Sequence, residues 1–466
     1  MFPANLALIC TFHCLVGCSG WYHYTALNSL EHLIKSFANQ SIYAHYGTLL
    51  SQHQLSLVWS LVTTSFLLGG VLGSFLLNFV TESYGRRTTV MVLKNLALIA
   101  SSLMQFCGVK LNSVELLVAG RFTAGIGAAL NFFIPTFITE CAPVAYRGVS
   151  SAFCALGLQL WGVLGTVAAL PTVFGNSQLW PLALVVPAVP ALVHLVATPW
   201  CPESPKFLFI ARRNEDKSAK AVQFYHGENV DLQSIQDEYN KEMSLADSRK
   251  TVSLFTIIST RHLKWPLLLG LTASLSIAAD GSDIAYQYST GIMAELISPE
   301  RAALYTFLLI HLPSLLLAAL GMLLVEKCGR RPLFLWGLGV CGLGTVSIFV
   351  SGLIQHWSTT VAAVLNVAGL AMILGGDSFG PSIIRTFLGG ELSPQMSRSM
   401  AVAVECVSED ISSALVTLYF PPASQLIGCY AMLPFTVFCF ITWTFLYLYL
   451  PETKNKTVHE VIARWI

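Results

Sequence analysis

The chain has 466 residues, of which 54% are apolar and only 11% are charged, and its mean hydropathy is +0.64. A water-soluble domain carries about 25% charged residues, so this composition excludes a soluble enzyme, a disordered chain and a secreted disulfide scaffold. The net charge of +1 gives no electrostatic reason to expect a nucleic-acid partner. The predicted surroundings of the chain are therefore a lipid bilayer.

Apolar stretches long enough to cross a bilayer recur along the whole chain. A spanning helix needs about 20 mostly apolar residues. The first stretch lacks the basic start and the cleavage site of a signal peptide, so it counts as a span. The sequence predicts an all-α membrane protein with twelve transmembrane helices, placed at 5–25, 55–81, 88–108, 114–138, 147–171, 178–200, 263–293, 301–325, 332–354, 357–389, 399–424 and 427–450.

The twelve helices fall into two groups of six, separated by a charge-rich insert. Residues 1–200 are predicted to form an N-terminal six-helix bundle and residues 265–450 a C-terminal one, followed by a cytoplasmic tail at 451–466. The insert, 201–264, contains the periodic segment DLQSIQDEYNKEM at 231–243. This periodicity predicts short amphipathic cytoplasmic helices rather than an independent domain.

The basic residues indicate which side of the membrane each loop faces. With both termini in the cytoplasm, all Lys and Arg face the cytoplasm except three outside and two within spans, namely Lys35, Lys110, Arg301, Arg121 and Arg385. Loops rich in Lys and Arg stay in the cytoplasm during insertion. The asymmetry predicts a multi-pass membrane protein with both termini cytoplasmic.

Three short motifs occur once in each half and in the same order. The matching pairs are YGRR (84–87) and CGRR (328–331), Glu140 with Arg147 and Glu391 with Arg398, and PES (202–204) and PET (451–453). Two similar six-helix halves with a site between them are typical of secondary transporters.

Duplication at matching helix ends predicts a gating role for these motifs. Facing charges can pair when the cytoplasmic side closes and separate when it opens, which biases a two-state equilibrium. Taken singly, a GRR is also a topology signal, and a Glu–Arg pair is also a surface ion pair worth at most about 1 kcal/mol. The predicted gating residues are Gly85, Arg86, Arg87, Glu140, Arg147, Glu203, Glu326, Gly329, Arg330, Arg331, Glu391 and Arg398.

Several longer passages carry a resemblance to a known family. They are FANQSIYAHYG (37–47), VWSLVTTSFLLGGVLGSF (58–75), AGRFTAGIGAAL (119–130), CPESPKFL (201–208), YQYSTGIM (286–293), VEKCGRR (325–331) and PETKNKT (451–457). With the repeat, they make the chain resemble the sugar porter branch of the major facilitator superfamily, and within it the animal facilitative glucose transporters, over essentially its whole length.

The resemblance implies both a fold and a function. It implies two pseudo-symmetric six-helix bundles that carry a hexose or related small polyol by alternating access, with no catalytic residue, cofactor or metal. It further implies a monomer in the plasma membrane that is glycosylated at Asn39, in the loop after the first helix. The second sequon, at Asn455, is cytoplasmic in this topology and is expected to be unmodified.

The substrate site departs from the pattern of this family. Where the family has Gln-Gln-x-x-x-x-Asn in helix 7, this chain has Ile277, Ala278 and Asp283. Other replaced positions are Ala155 in helix 5 with Gln159 one turn further on, Ser314 in helix 8, Ser378 and Thr386 in helix 10, and Glu409 and Asp410 in helix 11. The predicted substrate-binding residues are Gln159, Asp280, Asp283, Tyr286, Tyr288, Ser314, Thr386 and Glu409.

The replacements introduce carboxylates into the second half. An ionised side chain at mid-bilayer costs about 2.5–3.5 kcal/mol on insertion scales, so such a group faces a cavity or a partner. For Asp377 and Glu405 the favoured interpretation is hydration at a helix end or pairing with Arg385. For Asp283 that interpretation and contact with substrate both stay open.

Two further functions stay open at this point. The carboxylates also fit a proton-coupled or cation-selective carrier of the same build, although residues 5–25 lack the acid that proton-coupled sugar porters typically carry in helix 1. The third hypothesis is a non-transporting sensor that kept the fold. The short tail after the last helix is expected to disfavour it.

Overall fold

The computed structural model describes residues 3–143, 146–227, 230–247, 254–294, 297–393, 397–454, 456 and 460. Within these ranges the regular secondary structure is helical, without β-strands. Nine helical segments there are long and apolar enough to cross a membrane, and one of them, Met400–Tyr449, has 50 residues and holds two spans. The shorter apolar helices Leu156–Ala168 and Trp180–Val196 complete the set. The predicted all-α fold with twelve spans is confirmed.

The first half contains spans 1 to 6. Their helices are Ala4–Leu15 and Tyr22–Thr25 (span 1), Gln52–Tyr84 (span 2), Thr88–Lys110 (span 3), Val114–Asn131 and Ile134–Cys141 (span 4), Arg147–Ala168 (span 5), and Trp180–Ala183 and Ala188–Val196 (span 6). Four short helices follow in the insert, at Pro205–Ile210, Glu215–His226, Leu232–Asp247 and Leu254–Ser259, as the periodicity predicted.

The second half contains spans 7 to 12. Their helices are Arg261–Asp280 and Ser282–Ala294 (span 7), Pro299–Tyr305 and Leu312–Cys328 (span 8), Arg330–Ile354 (span 9), Thr359–Phe379 and Pro381–Leu392 (span 10), Arg398–Ile427 (span 11) and Leu433–Tyr449 (span 12). A π-helical turn, Thr306–His311, joins the two helices of span 8. The two halves meet along spans 2 and 11 and along spans 5 and 8.

Spans 1, 4, 6, 7 and 10 are each interrupted, where the sequence predicted single intervals. A 3₁₀ segment, Gly17–Trp21, interrupts span 1, and two non-helical residues interrupt span 4. Span 7 breaks at Gly281, whose φ of +80° suits only glycine, and span 10 breaks at Gly380 before a proline that lacks the amide proton of a helix interior. Broken helices in corresponding positions of two repeats line the binding site of many transporters.

The segment after span 1 is a helix rather than the predicted loop. The helix Glu31–Tyr46 ends at Gly47, whose φ of +68° forms a left-handed cap. One face buries Ile34, Phe37 and Ser41, and the Ser41 hydroxyl donates to the carbonyl of Asn112 at 2.6 Å. This buried face explains why the segment folds against the bundle. Asn39 lies on this helix and is partly exposed.

Lys94 is buried, although the charge-based topology counted it among the cytoplasmic basic residues. It lies in span 3 with no exposed surface, and its ammonium donates to the carbonyl of Gly17. His194 lies 3.3 Å from the ammonium and 2.8 Å from His13. The carbonyl of Gly17 lies at the break in span 1, so Lys94 supplies a donor to a polar group that membrane lipid could not satisfy.

Candidate substrate cavity and gates

A small cavity lies between the two halves, beside the breaks in spans 1 and 7. Both halves contribute to its wall. The first half supplies Trp21, Tyr24, Phe66, Leu67, Gly70, Gly125, Ala128, Ala129 and Phe132, and the second half supplies Ile277, Asp283, Glu409, Asp410 and Ser413. One wall is therefore apolar and aromatic, and the facing wall carries three carboxylates and a hydroxyl.

The aromatic wall is packed into one group. Trp21 stacks on Tyr24 with ring centroids 4.8 Å apart, and it meets Phe132 edge-on at 5.8 Å. Tyr24 in turn packs against Phe66 at 6.0 Å. Offset and edge-on contacts of this kind fix the orientation of the rings. The wall therefore offers fixed ring faces to a bound molecule.

Asp283 connects the two walls. Its side chain is 1% exposed, and the Tyr24 hydroxyl donates to Oδ1. The other oxygen, Oδ2, has no hydrogen bond among the described residues. On the same wall, Asp410 accepts a 2.8 Å hydrogen bond from Ser74 in the first half. Both acids therefore accept hydrogen bonds across the interface between the halves, and both line the cavity.

Arg385 forms ion pairs with two other carboxylates. Its guanidinium lies 3.2 Å from Asp280 Oδ2 and 2.6 Å from Asp377 Oδ1, and all three side chains are buried. The pairing of Asp377 with Arg385 agrees with the favoured interpretation. Asp280, predicted to bind substrate, is held by this ion pair and is not part of the cavity wall.

Glu405 is also buried, at 5% exposure, and its Oε1 has no hydrogen bond among the described residues. It lies against Gly270 and Gly389, where an added Cβ would come within 1.9 and 1.8 Å of its carboxylate. Among the described residues, Arg385 forms no ion pair with this carboxylate.

The remaining predicted substrate residues lie beside the cavity or away from it. Tyr286 packs on Tyr24 at 5.7 Å, its hydroxyl is 3.5 Å from Ser378 Oγ, and Gln159 is a hydrogen-bonding neighbour. Ser314 donates to the carbonyl of His311 at 2.7 Å and is not part of the wall. The helix of span 10 includes Thr386, whose side chain is outside the described part. Of the eight predicted residues, the cavity wall contains Asp283 and Glu409.

Hydrogen bonds between the halves close one end of the cavity. The Tyr288 hydroxyl lies 2.9 Å from Thr63 Oγ1 in the first half, and within its own half it donates to the carbonyl of Thr417 at 2.9 Å. Nearer that end, the Asn28 amide donates to Ser289 Oγ at 2.7 Å, and its oxygen accepts from the backbone of Thr290 at 3.0 Å. These bonds join spans 1, 2, 7 and 11.

Sequence analysis identified Tyr288 but missed its partners. It also missed Phe66, Phe132 and Ser413 on the cavity wall. Asn28, a polar residue near the end of an otherwise apolar span, was the one sequence signal of the contacts at this end of the cavity. Thr63 and Thr417 carried none, because threonine is common in spans, where its hydroxyl bonds the preceding turn of the helix.

The opposite end of the bundle carries the GRR motifs and is called the basic end below. In the first half, Arg86 Nε lies 3.3 Å from Glu140, which also accepts from the Ser204 hydroxyl at 2.6 Å. Glu203 accepts from the backbone amide of Arg87 at 2.7 Å. Gly85, with φ +100°, leaves no space for a side chain, since an added Cβ would lie 2.5 Å from Glu203.

The second half repeats this arrangement. Arg330 lies 3.4 Å from Glu391, which accepts from the Thr453 hydroxyl at 2.5 Å. Glu452 accepts from the amides of Arg330 and Arg331 at 2.9 and 3.1 Å, which makes it the counterpart of Glu203. Gly329 has φ +94°, and an added Cβ there would lie 2.6 Å from Glu452. The PES and PET motifs signalled this role of Glu452, which the sequence analysis did not assign.

Each described ion pair at the basic end joins helices of one half. The gating prediction concerned ion pairs that form between the two halves. In this state of the molecule, the described ion pairs form within each half instead. The side chains of Arg147, Glu326 and Arg398 lie outside the described part.

The insert is attached to the first half at this end. The Tyr225 hydroxyl donates to the carbonyl of Pro202 at 2.8 Å and contacts Cys201 Sγ at 3.3 Å. Burial raises the pKa of the Cys201 thiol to about 11, so it stays neutral at physiological pH. The Asn5 amide donates to the carbonyl of Phe224, which also ties span 1 to the insert.

Comparison with known proteins identifies the family. Residues 9–465 match the family described as "Sugar (and other) transporter". The chain belongs to this family. It is 30% identical to facilitated glucose transporter member 3 of solute carrier family 2 from Ovis aries, over 94% of this chain and 88% of that protein. It is 29% identical to the Homo sapiens member 3 with the same coverage.

Solved structures agree with this assignment at the level of the fold. The inward-open conformation of the xylose transporter XylE from E. coli superposes with a TM-score of 0.79 at 18% identity, covering 99% of this chain and 100% of that one. The predicted resemblance to sugar porters is confirmed. The protein is a multi-pass membrane protein from a family of transporters, not of enzymes.

Proposed function

We propose that this protein carries a hexose or a related small polyol across the membrane by alternating access. The observation that carries the proposal is the cavity between two six-helix halves, closed at one end by hydrogen bonds between those halves. A site shared by two bundles can be exposed to one side and then the other when the bundles rock. The curated relatives named as facilitated glucose transporters supply the substrate class.

The bonds between the halves suggest how access alternates. Opening the end near Asn28 and Tyr288 requires the loss of their bonds to Ser289 and Thr63, and each such bond contributes about 0.6 kcal/mol on average inside a membrane protein. Closing the basic end brings the two charged clusters of that end together. The free energies of the two states then differ by little, so that both states can be populated, as a carrier requires.

Asp283 and Glu409 are proposed to contact the substrate directly, with Gln159, Tyr286 and Tyr288 beside them. A polyol needs donors and acceptors at fixed positions. Two carboxylates and the Ser413 hydroxyl on one wall meet that need, and the rings of the other wall cover the apolar face of a sugar.

The same proposal includes the orientation and the setting of the protein. The basic end is proposed to face the cytoplasm, with both termini on that side, because its loops carry Arg86, Arg87, Arg330 and Arg331. A monomer suffices, since both walls of the cavity come from one chain. The plasma membrane is the proposed location, on the precedent of the animal glucose transporters that the sequence resembles.

A counterflow assay tests the proposal. Purified protein in liposomes preloaded with unlabelled D-glucose, D-fructose or D-xylose is expected to accumulate the corresponding labelled sugar transiently. Gly70→Leu places a side chain in the cavity and should abolish the signal. Gly339→Leu in span 9, where an added Cβ meets only Trp443, should retain it. Absence of counterflow for every hexose, pentose and polyol tested would overturn the proposal.

A further inference from the structure

We propose that the preferred substrate of this cavity is a hexose-sized polyol that carries a protonated amine, whose positive charge is balanced by Asp283, Glu409 and Asp410. This inference rests on the proposed carrier function and names the class of molecule carried. It follows from three features of the cavity wall: its charge, one unpartnered oxygen and its aromatic rings.

The first feature is a negative charge that has no cationic partner in the wall. Three of the fourteen residues lining the cavity are acids, and none is Lys, Arg or His. Arg385, a buried cation of the second half, forms its ion pairs with Asp280 and Asp377 and attracts Asp283 and Glu409 only without direct contact. Arg121 in span 4 donates to the carbonyl of His23 at 2.6 Å and lies over the ring of Phe66 at 4.8 Å. Carboxylates removed from water need a positive partner or a proton.

The second feature is the free oxygen of Asp283. The carboxylate is 1% exposed and lies in the cavity wall, with Oδ1 held by Tyr24. Oδ2 has no hydrogen bond of ordinary geometry among the described residues, and the Ser413 hydroxyl on the same wall is a neighbour of this carboxylate. A buried polar atom left without a partner costs about 1–3 kcal/mol, and more when the group is charged. An ammonium donates up to three hydrogen bonds and accepts none, which matches a wall with three carboxylates and a single hydroxyl.

The third feature is the pair of aromatic faces opposite the acids. Trp21 stacks with Tyr24, and Phe66 and Phe132 flank them. A cation within about 6 Å of an aromatic face is attracted by the ring quadrupole, by up to about 2 kcal/mol when it is desolvated. Carboxylates and rings on facing walls together favour a cation over a neutral hydroxyl.

The replacement at position 283 points the same way. The resemblance places an amide there in sugar porters, and an amide both donates to and accepts from sugar hydroxyls. The carboxylate of Asp283 only accepts when ionised. It therefore loses donors for a neutral sugar and gains charge for an amine. The polyol part of the substrate follows from the family to which the chain belongs.

The experiment compares D-glucosamine with D-glucose in the same proteoliposomes, at a pH at which the amine is protonated. D-Glucosamine is expected to compete with labelled D-glucose at a concentration at least about tenfold lower than unlabelled D-glucose, because close charge pairs contribute about 1.5 kcal/mol or more and 1.4 kcal/mol is tenfold. N-Acetyl-D-glucosamine, which has no charge, should lose this advantage.

Variants assign the effect to the cavity. Asp283→Asn and Glu409→Gln keep the shape of the side chain and should each reduce the preference for D-glucosamine over D-glucose about tenfold, whatever they do to the rate of D-glucose counterflow itself. Glu300→Gln, an exposed acid at the start of span 8, is the matched control and should leave the preference unchanged.

The outcomes separate the two proposals. If no sugar is carried, the proposed function fails. If D-glucose is carried as well as D-glucosamine, and Asp283→Asn leaves the ratio unchanged, the cationic substrate is refuted while the carrier function stands. If D-glucose uptake instead depends on pH and Asp283→Asn abolishes that dependence without any preference for D-glucosamine, the acids bind protons and the inference is again refuted.

Discussion

Tyr288 is the residue that ties together the most elements at the closed end of the cavity. Its phenol lies on span 7 and reaches span 2 through Thr63 and span 11 through Thr417. A single hydroxyl thereby bonds to both halves, so its loss weakens closure without removing any of the aromatic packing against Phe420.

Tyr288→Phe is therefore expected to open this end more often. The lost bond to Thr63 joins the two halves and contributes about 0.6–1.5 kcal/mol, so the open population should rise about three- to tenfold. Faster hydrogen exchange of the amides at 286–294, followed by mass spectrometry, measures this change. Tyr430→Phe is the control, because the described contact of Tyr430 is a ring contact with Phe349. Equal exchange in the two variants would contradict the assigned role of the hydroxyl.

The cavity also shows which residue contacts a sequence can predict. Asp283 was identified because it replaces an amide at a position that the family resemblance places in the site. Its bond to Tyr24 was not foreseen, because the two residues are far apart in the chain and no motif in the sequence links span 1 to this position of span 7. Asp280 was assigned to the substrate because the sequence does not reveal which acids form ion pairs with Arg385.

At the scale of helices, close contacts between spans 2 and 4 depend on glycine. An added Cβ on Gly125 would lie 1.8 Å from the carbonyl oxygen of Phe66, and one on Gly69 would lie 1.9 Å from that of Phe122. Both obstacles are backbone atoms, which a side-chain rotation cannot move. The two helices thus approach closely only where glycine faces backbone, as small residues allow in membrane bundles.

Gly125→Ala is expected to prevent folding or to cost more than about 4 kcal/mol, since backbone must move. Gly339→Ala, whose added Cβ comes no closer than 3.3 Å to Trp443, should be neutral or gain up to about 1 kcal/mol from helix propensity. The fraction of monodisperse protein in detergent extracts after a temperature series compares the two. Similar profiles would show that the spans can separate without loss of the fold.

The charged clusters at the basic end are two copies of one element. Glu140 bonds to Arg86 and Ser204, and Glu391 bonds to Arg330 and Thr453, at similar distances. The sequence repeat predicted this pairing of motifs. It did not predict that the described ion pairs stay within each half, because the repeat contains no information on the state of the carrier.

Glu140→Gln and Glu391→Gln should therefore lower stability by similar amounts. Each substitution removes a partly exposed ion pair, worth about 0.5–1 kcal/mol, and keeps the shape of the side chain. Thermal unfolding in detergent at low and high salt measures the loss, which salt should diminish. Glu82→Gln, an exposed acid at the end of span 2, is the control. A large loss for one variant alone would contradict the equivalence of the two copies.

For the whole molecule, hydropathy and the repeat were sufficient to predict the fold class, because twelve apolar stretches and duplicated motifs are properties of the chain itself. The breaks in spans 1 and 4 were not predicted, since apolar residues continue through them. Lys94 was misplaced for a related reason. A charge count reads every lysine as a topology signal, although this one supplies a donor to the broken helix.

The orientation of the whole molecule is tested by its two sequons. Asn39 lies on the partly exposed helix Glu31–Tyr46, beyond the end of span 1 and opposite the basic end, and its Oδ1 accepts from the amide of Leu50 at 3.1 Å. Glycosylation occurs outside the cytoplasm, so the proposed topology makes Asn39 the acceptor and leaves Asn455 unmodified. Asn455 lies outside the described residues.

Asn39→Gln is expected to remove a glycosidase-sensitive mass from protein made in animal cells, and Asn455→Gln is expected to leave the mass unchanged. The electrophoretic mobility of each variant before and after glycosidase treatment provides the measurement. A mass shift caused by Asn455→Gln alone would place the basic end outside the cell, because acceptor sites are modified only on that side. The positive charge of the GRR loops would then have failed to set the topology, and the assignment of the closed end to the cell exterior would have to be reversed.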